Sequence, residues 1–152
     1  MLFGRKDLIR AARLNGPPNS DAIGRGQKVN KEELLGMFAA LELYVNRDHA
    51  ADWREWEKRV NAIRDGVSSL HGVRSEMFVP EIHYRVPHVR LQWDESASGL
   101  SVKDAIRRLR EGSPSIETRP NTSEGLEMGV WMLEPGQAEI VARRLREVLK
   151  GA

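Results

Sequence analysis

The sequence predicts an α+β fold: long amphipathic helices followed by a small α/β sandwich on a mainly antiparallel sheet. Three observations predict it. Leu34, Met37, Phe38, Leu41, Tyr44 and Val45, then Trp53, Trp56, Val60, Ile63, Val67 and Leu70, recur at the spacings of a helix face. After His71-Gly72 the period changes, and Val89, Leu91 and Trp93 alternate with Arg90, Gln92 and Asp94, as in a strand with one buried face. Finally, the order of segments is helices first, then strand-strand-helix-strand-strand-helix. That order suits helices packed on one face of an antiparallel sheet.

Each element has a local reason. Leu2-Phe3 reads as the tail of a strand that begins before the chain does, and Asp7 opens a short helix through about Leu14. Asn15 to Asp21 is a loop with turn residues at nearly every position. Asn30 is a favoured N-cap with Glu33 three residues on, the pattern of a capping box, so the next helix starts at Lys31. The pattern hesitates around Asn46-Arg47-Asp48 and leaves open one kinked helix or two. Val73 to Val79 has β character and Pro80 ends it. Ser101 with Asp104 caps a helix carrying Val102, Ile106 and Leu109. Ser115 to Thr118 is expected as a short strand and Leu126 to Leu133 as a longer one. Pro135 stands at a permitted first-turn position of a last helix closed by Gly151.

Composition limits the function classes. The 152 residues carry 24 cations and 22 anions, a net +2 that gives no general attraction to nucleic acid. The arginines at 107, 108 and 110 and at 143, 144 and 146 interleave with glutamates and lack stacking aromatics, so they read as solvated helix faces. Zero cysteines exclude disulfides, zinc-thiolate sites and cysteine nucleophiles. No apolar run approaches the roughly 20 residues needed to cross a bilayer, and Gly4-Arg5-Lys6-Asp7 cuts short any leader. The expected location is cytoplasmic. His83 and His88 have only Glu81 as a neighbouring carboxylate, so a metal site is not expected. Gly24-x-Gly26 lacks the third glycine and preceding strand of a dinucleotide fingerprint.

Two places suit an anion. Ile23-Gly24-Arg25-Gly26-Gln27-Lys28 is a basic, glycine-containing segment running into a helix N-terminus, which favours a phosphate or carboxylate. Its plainer reading is an ordinary loop before a well-capped helix. Arg119 ends the segment Pro114 to Thr118 and is followed by Pro120. A guanidinium on a rigid edge grips a carboxylate with two parallel hydrogen bonds.

Taken in order, Leu2-Phe3-Gly4-Arg5-Lys6-Asp7-Leu8-Ile9 and Ile23-Gly24-Arg25-x-x-Lys28-Val29-x-Lys31-Glu32-Glu33 resemble the selenocysteine-synthase-like pyridoxal-phosphate enzymes. This is the family of D-glucosaminate-6-phosphate ammonia-lyase and relatives of L-seryl-tRNA selenium transferase. The likeness continues through Val79-Pro80-Glu81-Ile82, Val86 to Leu91, Gly112 to Ile116, Glu124 to Glu127 and Trp131 to Gly136. It implies the C-terminal domain of the aminotransferase-like fold type I. Residues 1–30 become the end of a large cofactor domain with an active-site loop, 31–71 a connecting helix or helix pair, and 72–152 the small lobe. The resemblance further implies pyridoxal phosphate (PLP) as cofactor, lyase or transferase chemistry on a small amino substrate, and substrate contacts from Arg119, Arg25 and Lys28. The family's Schiff-base lysine falls upstream of Leu2-Phe3-Gly4-Arg5, so the anchor is expected to be absent and the chain inactive alone. Expected partners are a second copy, or the missing N-terminal large domain. The alternative expectation is a stand-alone, non-catalytic dimerisation domain derived from that lobe, a dimer that buries the Trp53-Trp56 stripe.

Overall fold

A computed structural model describes residues 2–82, 84–119 and 125–150. His83, Pro120, Glu124 and Gly151, on which parts of the sequence reading rest, lie outside them. The chain divides into two compact units, Met1–Asp48 and His49–Ala152. No helix among the described residues is long and apolar enough to cross a membrane.

In the first unit, α1 (Lys6–Leu14) is followed by a 3₁₀ turn, Ile23–Gly26, and by α2 (Lys31–Asn46). The end of α1 is closed by Asn19, whose side-chain amide donates to the carbonyls of Arg13, Leu14 and Gly16. Gly24 is buried, and its N–H donates to the Asn15 carbonyl at 2.8 Å. A Cβ there would come within 2.4 Å of that oxygen. This glycine therefore serves a close backbone approach rather than flexibility. The predicted capping box is present: the Asn30 side chain accepts from the Glu33 N–H at 2.7 Å, and Glu33 accepts from the Asn30 N–H at 3.0 Å. Leu2 and Phe3, expected as a strand end, are exposed and take no strand partner among the described residues.

The break at Arg47-Asp48 resolves into two helices, with α3 (His49–Val67) opening the second unit. Next come β1 (Arg74–Phe78), β2 (His88–Gln92), the single turn α4 (Glu95–Ser98), α5 (Val102–Glu111), β3 (Leu126–Gly129) and α6 (Gln137–Leu149). The sheet has order β1-β2-β3 and both pairings are antiparallel. Val89 and Leu91 of β2 alternate with His88 and Arg90, and Leu126 and Met128 of β3 alternate with Glu127 and Gly129. The apolar set joins Val60, Ile63 and Val67 of α3 and Val141, Leu145 and Val148 of α6 in one core. The predicted arrangement, helices on one face of an antiparallel sheet, is what the second unit shows.

Three expected elements differ. Ser115 to Thr118 is not a strand, because its hydrogen bonds go back to the end of α5. Ile116 N–H donates to the Leu109 carbonyl at 3.0 Å, the Ser115 hydroxyl to the Arg110 carbonyl at 2.6 Å, and Arg110 holds Glu117 with two bonds. The strand expected to reach Leu133 stops at Gly129. Beyond it the chain turns, Leu133 N–H meeting the Val130 carbonyl at 3.2 Å, and Arg59 of α3 donates to the carbonyls of both Val130 and Leu133. Pro135 lies outside α6. Gly136 has φ 84°, ψ −12°, and Gln137 N–H donates to the Glu134 carbonyl at 3.1 Å, so Pro135-Gly136 are the central residues of a type II turn. Pro135 fits that turn for the same reason it fits a helix start: its φ is already set.

Candidate functional site

The alternation that sends Val89 and Leu91 into the core sends His88 and Arg90 to the opposite face of the sheet. Register then decides their neighbours. Arg90 is paired at Cα level with Glu76 on one side and Glu127 on the other, and His88 with Phe78 and Gly129. An acid-base-acid row thus crosses all three strands. Arg90 donates through Nε and Nη2 to Oε1 of Glu127 at 2.9 and 2.7 Å, and through Nη1 to Glu76 at 2.7 Å. Its guanidinium carbon also stands 4.2 Å from the Phe78 ring centre. Glu127 is only 5% exposed. Its second oxygen, Oε2, accepts from Nη1 of Arg119 at 3.3 Å, and its backbone carbonyl accepts the Arg119 N–H at 3.2 Å.

Beside this row lies a run of rings. Phe78 and His88 are 5.4 Å apart, His88 and Trp131 5.1 Å, and Trp131 and Tyr84 are stacked at 5.1 Å with 14° between planes. Trp131 reaches His88 only because residue 129 has no side chain: a Cβ on Gly129 would sit 1.8 Å from the indole. Tyr84, exposed, holds φ 38°, a left-handed backbone uncommon for an aromatic residue. Gly129→Ala should push the indole off the sheet. A loss of about 1–3 kcal/mol in stability, with a weakened near-ultraviolet tryptophan band, is the expected result.

His88 is 1% exposed and donates Nδ1–H to the Val86 carbonyl at 2.7 Å. Burial holds its pKa below the ordinary 6.5, and the nearby charge of Arg119 pushes the same way, against the Val86 bond and Glu127. The unfolded chain therefore takes up a proton near pH 6.5 that the folded chain refuses. The stability from a neutral His88 is complete above pH 6.5 and falls as pH drops through and below that value. Urea titrations of wild type and His88→Phe between pH 7.5 and 5.5 should show the steeper acid loss in wild type.

The three residues expected to bind substrate fall in different units. Arg119, 43% exposed at its side chain, joins the Arg90–Glu127 row in the second. Arg25, half-buried in the 3₁₀ turn, and Lys28, exposed just before Asn30, belong to the first. The α2 start beside them is already complemented by its capping box and by Glu32 and Glu33 in its first turn. Sequence reasoning misses Arg90, Glu127, Glu76 and Tyr84. A signal for the first two is available: both are the charged residues in otherwise apolar alternating strands, on the faces opposite the core. The tryptophans at 53, 56 and 93 read as core or interface, and Trp56 and Trp93 do pack against the core. Trp131, expected in a strand, sits instead in the turn after β3.

No family model matches the chain. It is 27% identical over 156 residues to D-glucosaminate-6-phosphate ammonia lyase of Salmonella typhimurium (strain 14028s / SGSC 2262), across 99% of this chain and 39% of that protein. It is 29% identical over 150 residues to a Streptomyces 5'-C-glycyluridine monooxygenase-decarboxylase, across 97% of this chain and 37% of that protein. A solved structure of D-glucosaminate-6-phosphate ammonia-lyase superposes on 98% of this chain and 39% of its own, with a TM-score of 0.64 and 24% identity. The fold is therefore shared with part of that lyase, and the chain spans well under half the length of the relatives it matches.

Proposed function

We propose that this chain is the substrate-binding lobe of a PLP-dependent lyase or transferase of the selenocysteine-synthase-like group. In that reading it corresponds to the C-terminal domain of fold type I, and Arg119 receives the carboxylate of a small amino acid substrate. The observation that carries the reading is the state of Arg119. Its Nη1 is committed to Glu127, while among the described residues nothing pairs with its Nε–Nη2 edge, the side of a guanidinium that matches the two oxygens of a carboxylate. The names of the two relatives agree with such a ligand. D-glucosaminate-6-phosphate carries an amine beside a carboxylate, and so does a glycyl group on uridine. Their reactions differ, so the reading leaves the reaction type to the rest of such an enzyme. Arg25 and Lys28 are the further cations of the proposed substrate side.

The residues of this chain do not fit a covalent PLP anchor. By the resemblance, none of the six lysines, at 6, 28, 31, 58, 103 and 150, stands where the family's Schiff-base lysine does, upstream of the Leu2-Phe3-Gly4-Arg5 motif. The proposal therefore places the anchor on polypeptide outside these 152 residues and assigns no bond-making step to this chain. That polypeptide is also the proposed cover for α2, which exposes Leu34, Leu35, Phe38, Leu43, Tyr44 and Val45. The same surface supports the second reading, a non-catalytic dimerisation domain. The second reading requires a stable dimer in light scattering, and a monomer would remove it.

The direct test compares two sugars. D-glucosaminate-6-phosphate should shift the Arg119 Nε–Hε resonance at millimolar concentration, and D-glucosamine-6-phosphate, which lacks the carboxylate, should not. Equal shifts from both, or none from either, would count against a carboxylate site at Arg119.

A further inference from the structure

We infer that Glu127 is a positioning residue for Arg119, tethering one corner of its guanidinium so that the Nε–Nη2 edge is presented to an incoming carboxylate, and that Arg90 locks Glu127 in place. The inference rests on the reading of Arg119 given above. Three features of the structure support it. Glu127 has divided its oxygens: Oε1 takes both bonds from Arg90, and Oε2 is left for Arg119. Arg90 is itself fixed by position in the central strand, by Glu76 and by the Phe78 ring, so the buried carboxylate has little room to turn. Arg119 is gripped twice by one residue, backbone N–H to the Glu127 carbonyl at 3.2 Å and side chain to its carboxylate at 3.3 Å. A long side chain 43% exposed would otherwise sample many rotamers. Restraining it before the ligand arrives removes part of the ordering cost of binding.

The sign of one substitution distinguishes positioning from simple charge. Glu127 places a negative group next to Arg119. If it only screened that cation, Glu127→Gln would raise the local positive potential and strengthen anion binding. If it positions Arg119, the same change frees the guanidinium and weakens binding by roughly three- to tenfold. Glu127→Asp keeps the charge but withdraws it by one methylene, and should also weaken binding.

The experiment is ¹⁵N NMR of the Arg119 Nε–Hε group in the 152-residue chain. Wild type without ligand should show an ordered Nε–Hε, and in both variants it should become mobile while backbone resonances of β2 and β3 stay in place. Titration with D-glucosaminate-6-phosphate should then show the weakened binding. A mobile Nε–Hε in unliganded wild type would overturn the inference, and this measurement needs no variant to fold. Stronger binding by Glu127→Gln would overturn it as well. An ordered Nε–Hε in wild type, mobile in the variants, with no response to the sugar acid would leave positioning standing and remove the substrate reading instead.

Discussion

Arg90→Met is expected to destabilise the second unit by about 3–5 kcal/mol, the cost of removing one partner from a buried ion pair. The reason lies in what stays behind. Glu127, with a side chain only 6% exposed, would keep a single bond, the 3.3 Å contact from Arg119, in place of three. Glu76, half-exposed at the other end of the row, turns to water at little cost. Methionine keeps an apolar stem of similar length but gives up the guanidinium over Phe78, a contact worth about 0.5–1 kcal/mol, so most of the loss reports the stranded carboxylate. Adding Glu127→Leu should recover most of the stability, because an apolar pair in place of a buried ion pair is often neutral. Urea unfolding of the four proteins forms a double-mutant cycle, and unchanged m-values would keep the comparison two-state. If Arg90→Met alone costs no more than a surface substitution, the row is not the structural unit its geometry suggests. The Arg5–Asp7 contact is a useful contrast. It is as short as 2.5 Å, but both side chains are largely in water, and Asp7→Asn should leave the unfolding midpoint where it is.

This row also marks where the sequence stops being readable. Alternation in Val89-Arg90-Leu91 and in Leu126-Glu127-Met128 says which side chains avoid the core. It does not say that β2 lies between β1 and β3, nor that the register sets Arg90 opposite both glutamates. Capping is legible because it is local: the Asn30–Glu33 box and Ser101 with Asp104 depend on neighbours within four residues, whereas the pattern at Asn46 to Asp48 leaves one helix or two open. The misread segments each depend on distant groups. β3 ends early because Arg59, some seventy residues back in the chain, supplies donors to the turn that follows. Ser115 to Thr118 leaves the sheet because α5 offers it better partners. Residue type and family position single out Arg119, but Glu127, which gives it an orientation, becomes visible only with the register. The ring run has a similar cause. Gly129 reads as an ordinary strand glycine until the indole of Trp131 is found lying where its side chain would be.

Gly66→Val should cost about 3 kcal/mol, as an overpacked helix contact does. Gly66 lies within α3, where residue type alone argues that any side chain would help, since glycine costs a helix interior about 1 kcal/mol against alanine. Its surroundings reverse that argument. A Cβ at Gly66 would lie 2.5 Å from the Cβ of Ala142 on α6, far inside ordinary contact, and Ala142 is itself buried. Neither atom is the end of a flexible chain, so relief requires the two helices to separate. Around them Val60, Ile63 and Val67 of α3 share the core with Val141, Leu145 and Val148 of α6, so separation opens voids along the whole contact. Two methyls on a β-branched residue make the clash larger than alanine would. Gly36 in α2 supplies the control, because nothing lies within 4 Å of the Cβ it would gain. Gly36→Ala should stabilise by about 0.5–1 kcal/mol on helix propensity alone. Opposite signs for the two glycines in thermal or urea unfolding are the expected result, and Ala142→Gly should restore part of what Gly66→Val removes. A Gly66→Val protein as stable as wild type would mean that α3 and α6 have room between them for a branched side chain, against the close approach on which the core depends.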